Sequence, residues 1–278
     1  MQKEVQLKMK IDLRDVQKTL LLPLWGRAKL SKMGNPVLND PKAVEIVDQM
    51  PECDFAGIQK IFTDFFNVGW ITRAKMFDDT IKAFLSKHPE AVIVNLGAGL
   101  DTTFFRVDNG RLRWYDLDLP DVIKVRKKLI PESSRAKCIA KSLFDPSWTE
   151  DIPASGGNIL FLAGGVLYYF NEPEIKGLFK LLAGSFPGGE IVFDTVSEFS
   201  MQFVNKGLKE TGNESALLKW GINDAKTISQ WDRRIEVLEE YPLFSRVGNW
   251  DFWNQNIVNY MVQSDKTKSS NIVHVRFL

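Results

Sequence analysis

Four groups of residues in this chain have the types and spacing to do chemistry together. They are the glycine turn Gly97-Ala98-Gly99, the acid Asp101 just behind it, the pair Asp116 and Asp118, and the arginines Arg27 and Arg73. Glycine at 97 and 99 lets the backbone pass close to a ligand, because no Cβ fills the space above the turn. A lone GxG occurs in many turns, so its surroundings decide what it fits. The pyrophosphate fingerprint GxGxxG needs glycine at position 102, and this chain has Thr102. Asp101 also sets a negative charge where a dinucleotide would bring its phosphates. Both features argue against NAD. Asp101 itself has two readings: it satisfies free N–H groups at a helix start, or it faces a cationic ligand.

Asp116 and Asp118 come about 20 residues after the turn, the spacing at which a strand-end acid reaches a ribose diol in Rossmann-type pockets. Two residues apart on a strand, both point to one side, but only one needs to bind. Asp118 is favoured and Asp116 is second; the other reading is that one of them caps the helix entered at Pro120. Arg73 falls between apolar positions of a helical pattern, where a guanidinium can hold a carboxylate in bidentate fashion. A solvated helix face is the competing reading for Arg73, and more so for Arg27.

Nucleophilic and metal chemistry find no support. His88 and His274 are isolated from each other, and no HExxH, GxSxG or cysteine cluster occurs. Asp78-Asp79 and Glu239-Glu240 read as solvated acids. A reaction in this protein is therefore carried by a cofactor, with the chain supplying mainly position.

The elements that must hold these residues follow from periodicity. The first ninety residues read as helical: Asp40 is a candidate N-cap with Pro41 at the first helical position, and Ile71, Ala74, Phe77, Ile81, Phe84 and Leu85 recur at helical spacing. Strands then alternate with helices. Residues 91–95, 111–116, 137–140, 158–163 and 190–194 read as strands, and 120–129 and 173–185 as helices. Residues 195–222 break the alternation with an amphipathic stretch, read as a cap over a cleft, with surface helices as the alternative. A helix near 225–234 and strands near 235–243 and 272–277 complete the chain. This alternation implies an α/β fold with an open, mostly parallel sheet.

Composition narrows the classes further. With 278 residues, 44% of them hydrophobic and spread along the whole length, one large domain is expected. Lys and Arg number 36 against 35 Asp and Glu, with no basic stripe, which disfavours nucleic acid or an anionic membrane as partner. Cys53 and Cys138 read as two reduced, buried thiols in a cytosolic protein. The opening MQKEVQLKMKIDLRD is too charged for a secretory signal, and no apolar run approaches the ~20 residues of a membrane span.

The motifs together resemble the leucine carboxyl methyltransferase-like family of S-adenosylmethionine-dependent enzymes, particularly a bacterial branch related to polyketide O-methyltransferases. The matching stretches are LLPLWGRAKLS (21–31), NPVLNDPKAVEIV (35–47), the long run TRAKMFDDTIKAFLSKHPEAVIVNLGAGLDTTFFR (72–106), WYDLDLPDVIKVR (114–126), KSLFDPSW (141–148) and AGGVLYYF (163–170). The resemblance implies a Rossmann-like class I methyltransferase sheet of about seven strands, an N-terminal helical extension (1–90), a cofactor core (91–194), a lid-like insertion after the fifth strand (195–222) and a C-terminal part of the sheet (223–278). It implies S-adenosylmethionine as cofactor, with Arg73 on the methionine carboxylate, Gly97 against the aminoacyl part, Asp118 on the ribose and Ser142-Leu143 beside the adenine. Arg27 falls in the family's N-terminal basic motif. Two departures stand out: the family often has Asp at the position of Ser142 and Glu at the position of Gly164. The expected reaction is direct in-line O-methylation of a small-molecule carboxylate or phenol, with Tyr168, Tyr169 and Trp220 as candidates for lining the acceptor site and core packing as the competing role of at least one of them. The alternatives are an N- or C-acceptor on the same fold, a non-catalytic binding member and, more distantly, an NAD-dependent oxidoreductase.

Overall fold

The computed structural model describes residues 20–50, 64–153, 156–210, 212, 214–248 and 250–278. Seven strands form one sheet: β1 (Val92–Leu96), β2 (Arg113–Asp118), β3 (Ala136–Ala140), β4 (Ile159–Ala163), β5 (Glu190–Val196), β6 (Ile235–Pro242) and β7 (Ser270–Phe277). Their spatial order is β3-β2-β1-β4-β5-β7-β6, and β7 alone runs against its neighbours. This is a Rossmann-like α/β sheet. Strand order reverses between β1 and β4, so the crevice beyond their carboxyl ends is where such a sheet takes its ligand.

The apolar runs in the sequence follow from burial on both faces. Val92, Val94 and Leu96 of β1 join Phe161, Phe179 and Phe193 in one layer, while Ile93 joins Trp114, Leu160 and Val192 in the other. Helix α6 (Glu172–Ser185) covers the first layer through Leu178, Phe179 and Leu182. Helices α3 (Asp64–Lys87) and α8 (Gln255–Lys266) cover the second through Phe77, Ile81, Ile257 and Met261. Ahead of α3 lie α1 (Leu21–Lys32) and α2 (Pro41–Asp48). Asp40 caps α2 as expected, accepting from the Ala43 amide at 3.0 Å. Leu21, Leu24, Ala43 and Ile46 of these two helices pack against Leu100 and against Val125 and Leu129 of α5 (Pro120–Leu129), which clamps the N-terminal helices to the glycine turn. A short helix, α4 (Thr103–Val107), follows that turn.

Three differences from the sequence expectation have physical causes. β2 runs to Asp118, because Leu117 and Asp118 pair with Ile139 and Ala140 of β3. The helix expected near 225–234 is a short 3₁₀ segment, Ala225–Gln230, capped by Asp224. Helix α8 was not anticipated, although Asn254 accepts from the Ile257 amide as an N-cap should. After β5 the chain forms α7 (Glu198–Glu210) and returns to its starting point, where the Ile222 amide donates to the Val196 carbonyl at 2.8 Å. The readings of Cys53 and of the first nineteen residues lie outside the described residues. Cys138 is a free thiol but only half-buried, against the expectation, because β3 is an edge strand of the sheet. Among the described residues no helix is long and apolar enough to cross a membrane.

Candidate functional site

The glycine turn leaves β1 in the left-handed region, with φ of +65° at Gly97 and +47° at Gly99. A side chain is strained there, and space is short as well: a Cβ on Gly97 would come within 2.6 Å of Val166. Gly97 therefore lies against the segment that follows β4. The Gly97 and Ala98 amides both donate to the Leu117 carbonyl, at 2.8 and 3.1 Å, tying the turn to β2. Asp118 completes the connection. One of its oxygens accepts from the Gly99 amide and the other from the Leu119 amide, each at 2.7 Å. Burial pushes the Asp118 carboxyl up, against the pull of those two amides. A carboxylate has about four lone-pair positions, so Asp118 keeps acceptor capacity for a diol at the rim of the crevice.

Asp116 is placed differently. It is buried and accepts from Arg126 Nη2 at 2.7 Å, Trp114 Nε1 at 2.8 Å and Asn95 Nδ2 at 3.2 Å. Arg126 in turn donates from Nη1 to the carbonyls of Gly99 (3.0 Å) and Asp101 (2.8 Å). Asp116 thus braces the turn from behind through Arg126, buried and with three of about four acceptor positions taken inside the protein. Asp101 accepts from the Thr103 amide at 3.2 Å, the helix-start reading, and from Asn95 at 3.3 Å. Burial alone would raise its carboxyl, but Arg27 and Arg106 outweigh that and hold it below its ordinary range.

The solvated readings of Arg27 and Asp78 are overturned. Both are buried, in a network behind α4. Arg27 Nε donates to Asp40 at 2.9 Å, and the same Asp40 oxygen accepts from Arg106 Nη1 at 2.7 Å and the Thr102 hydroxyl at 2.6 Å. Arg106 also forks onto Asp78, at 2.8 and 3.0 Å. Thr102 stands where a dinucleotide fold needs glycine, and here its hydroxyl is a buried donor. Asp79, by contrast, pairs with Lys75 at the surface.

Arg73 leaves α3 and reaches the far side of the crevice, where its Nη1 donates to Asp194 at the end of β5 at 2.8 Å. The other Asp194 oxygen accepts from the Gly165 amide at 2.6 Å. Gly165 (φ +74°) lies directly under the guanidinium: a Cβ there would sit 2.8 Å from Nη1. At Gly164 a Cβ would meet the Phe77 ring at 2.8 Å, so this chain fills with an aromatic edge the space a larger side chain would use. Ser142 and Leu143 follow the end of β3. The Ser142 hydroxyl accepts from the Phe144 amide at 3.3 Å, and the buried Leu143 carbonyl accepts from Trp148 at 3.1 Å. Trp220 is core, packed between Phe193 and Trp231.

Sequence reasoning missed Asp194, Gly165, Arg106 and Arg126. An acid closing the apolar strand IVFD was the available signal for Asp194, on the same logic that selected Asp118. The arginines carried no local signal, since their partners lie elsewhere in the chain. The residues present fit a cationic sulfur nucleoside with an amino-acid tail: an acid at the rim with spare acceptor capacity, and a buried arginine–carboxylate pair across the crevice. Asp101 and Asp118 oppose a diphosphate.

Similarity to known proteins agrees. Residues 23–183 match the family model described as leucine carboxyl methyltransferase. The chain is 31% identical over 236 residues to the tetracenomycin polyketide synthesis O-methyltransferase TcmP of Streptomyces glaucescens, covering 84% of this chain and 85% of that one. It is 28% identical over 269 residues to the S-adenosyl-L-methionine-dependent methyltransferase dpfgK of Gibberella zeae, covering 87% and 88%. Among solved structures, a DUF574-family protein of Streptomyces avermitilis superposes with a TM-score of 0.59 at 11% identity (91% of this chain, 97% of that one), which speaks to fold alone. With more than half its length matched by that model, the chain belongs to the leucine carboxyl methyltransferase family, whose cofactor is S-adenosylmethionine.

Proposed function

We propose that the protein methylates an oxygen of a small, apolar molecule that arrives already ionised, a carboxylate or an acidic phenol. The observation that carries this reading is the position of the two histidines. His274 contacts Glu190, the first residue of β5, and His88 precedes β1, so both lie at the opposite end of the sheet from the crevice. Burial pushes the phenols of Tyr168 and Tyr169 up, which makes them donors rather than bases at neutral pH. An acceptor that needs no base suits such a site.

Bound, the cofactor supplies an electrophilic methyl on a sulfonium. The chain's own contribution is to hold and align: Asp118 for the ribose hydroxyls, Arg73 for the tail carboxylate, Ser142 and Leu143 beside the base, and the braced Gly97–Gly99 turn beneath. Positioning at ~3–3.5 Å and exclusion of water then do the work. The insertion carries Phe199 and Phe203, 74% and 72% exposed and one turn apart on α7, an apolar surface for the acceptor. The similarity to an O-methyltransferase of tetracenomycin polyketide synthesis supports an acceptor of polyketide type.

The test is transfer from methyl-labelled S-adenosylmethionine to matched aromatic carboxylates and to phenols of graded acidity. Base-labile methyl esters are expected, or ethers whose rate follows the ionised fraction of the phenol. Rates independent of acceptor ionisation, or labelled amine products, would overturn the proposal.

A further inference from the structure

Asp194 is more than a counter-ion for Arg73. Their side chains are 14% (Arg73) and 11% (Asp194) exposed, and together they carry no net charge. A bare carboxylate brought to this pair would leave one uncompensated negative charge in a poorly solvated pocket. A zwitterion leaves none. It also sets each of its two charges beside the opposite charge of the pair, an arrangement favoured strongly at low dielectric.

The geometry leaves room for both contacts. Asp194 uses one lone pair of each oxygen, for Arg73 and for the Gly165 amide, out of about four positions. Arg73 offers five N–H donors in a fixed fork; one points to Asp194 and another meets the Tyr168 phenol, which leaves donors for a carboxylate. Gly165 leaves room for the guanidinium by lacking a Cβ, and its neighbour Val166 lies against Gly97, so the pair stands beside the glycine turn. We infer that Asp194 is the ligand for the α-ammonium group of the cofactor's methionine tail, forming with Arg73 a matched clamp for a zwitterion. This rests on the assignment of Arg73 to the tail carboxylate.

Titration calorimetry on the full chain tests it with three probes: S-adenosylhomocysteine, its deamino analogue and its decarboxy analogue. Loss of a charge-assisted hydrogen bond is expected to weaken the deamino analogue at least about tenfold in the unsubstituted protein. In Asp194→Asn, which still accepts the Gly165 amide, that preference should shrink to about one or invert. The penalty for the decarboxy analogue should persist. Unsubstituted protein binding the deamino analogue as tightly as the parent would overturn the inference without recourse to any variant. So would an Asp194→Asn protein that weakens parent and deamino analogue equally, the behaviour of a residue that only orients Arg73. If the decarboxy analogue alone matched the parent, the Arg73 assignment would fall first, and the clamp with it.

Discussion

Replacing Arg126 with methionine should be among the most damaging changes available outside the crevice. The guanidinium is almost fully buried and makes three hydrogen bonds, one to Asp116 and two to the carbonyls of Gly99 and Asp101. Methionine fills much of the volume but leaves Asp116 as a buried carboxylate with only Trp114 and Asn95 as donors. Removing one partner of a buried pair costs about 3–5 kcal/mol. For a chain of this size about 2–4 °C is lost per kcal/mol, so the melting temperature should fall by about 6–20 °C. The two freed carbonyls belong to the turn whose Gly99 amide meets Asp118. S-adenosylhomocysteine affinity should therefore fall as well, at least about threefold at a temperature where the variant is fully folded. Circular dichroism melts and calorimetric titration read the two effects separately. Adding Asp116→Leu to Arg126→Met should recover part of the stability, since an apolar pair no longer buries a lone charge. A melting temperature within 2 °C of the parent, with unchanged affinity, would refute the bracing role.

Three other outcomes can be checked. Gly165→Ala forces a Cβ against the Arg73 guanidinium at a φ of +74°, and should weaken S-adenosylhomocysteine more than tenfold by titration while the sheet stays folded. Phe199→Ser with Phe203→Ser should leave cofactor affinity within twofold but raise KM for an apolar acceptor by about tenfold, the worth of one buried ring. Asp40 is buried, which alone would raise its carboxyl, but Arg27, Arg106, the Thr102 hydroxyl and the Ala43 amide hold it below the ordinary range. Its contribution is thus present above that range and lost as pH falls through it. Asp40→Asn should therefore lower the urea midpoint clearly at pH 7, with the gap closing below about pH 4; a gap independent of pH would count against the network.

Much of the fold was readable because β1, β4 and β5 are buried on both faces and spell mostly apolar runs, and because proline marks the helix starts at Pro41 and Pro120, with Asp40 as the cap of the first. The turn was readable because glycine is the residue that tolerates its φ. The choice between Asp116 and Asp118 was not settled by local pattern, since strand geometry sends both to one side. Arg126, ten residues after Asp116, occupies that acid in the structure, which favours Asp118. Asp78 misled for the same reason: beside Asp79 it looks like a solvated acid, yet a helix turns the two to different sides, and Arg106 waits on the inner one. Asp194 and Arg73 are partners across 121 positions of sequence, a distance over which no periodicity carries information.

The loop that leaves Val196 and comes home at Ile222 behaves like a drawer in a cabinet. Its two ends are fastened together, Asn205 is laced to the Leu218 backbone at 2.8 Å through both its amide atoms, Trp220 is anchored beneath, and no side chain of α7 is fully buried. Residues 197–217, with Asn205 kept, are therefore expected to exchange for those of a relative while the sheet keeps its melting temperature, because the fastening at Val196 and Ile222 stays in place. Chimeras joined after Val196 and before Leu218, followed by thermal melts, check that independence, and comparing the acceptors each chimera methylates would test the proposed role of this segment.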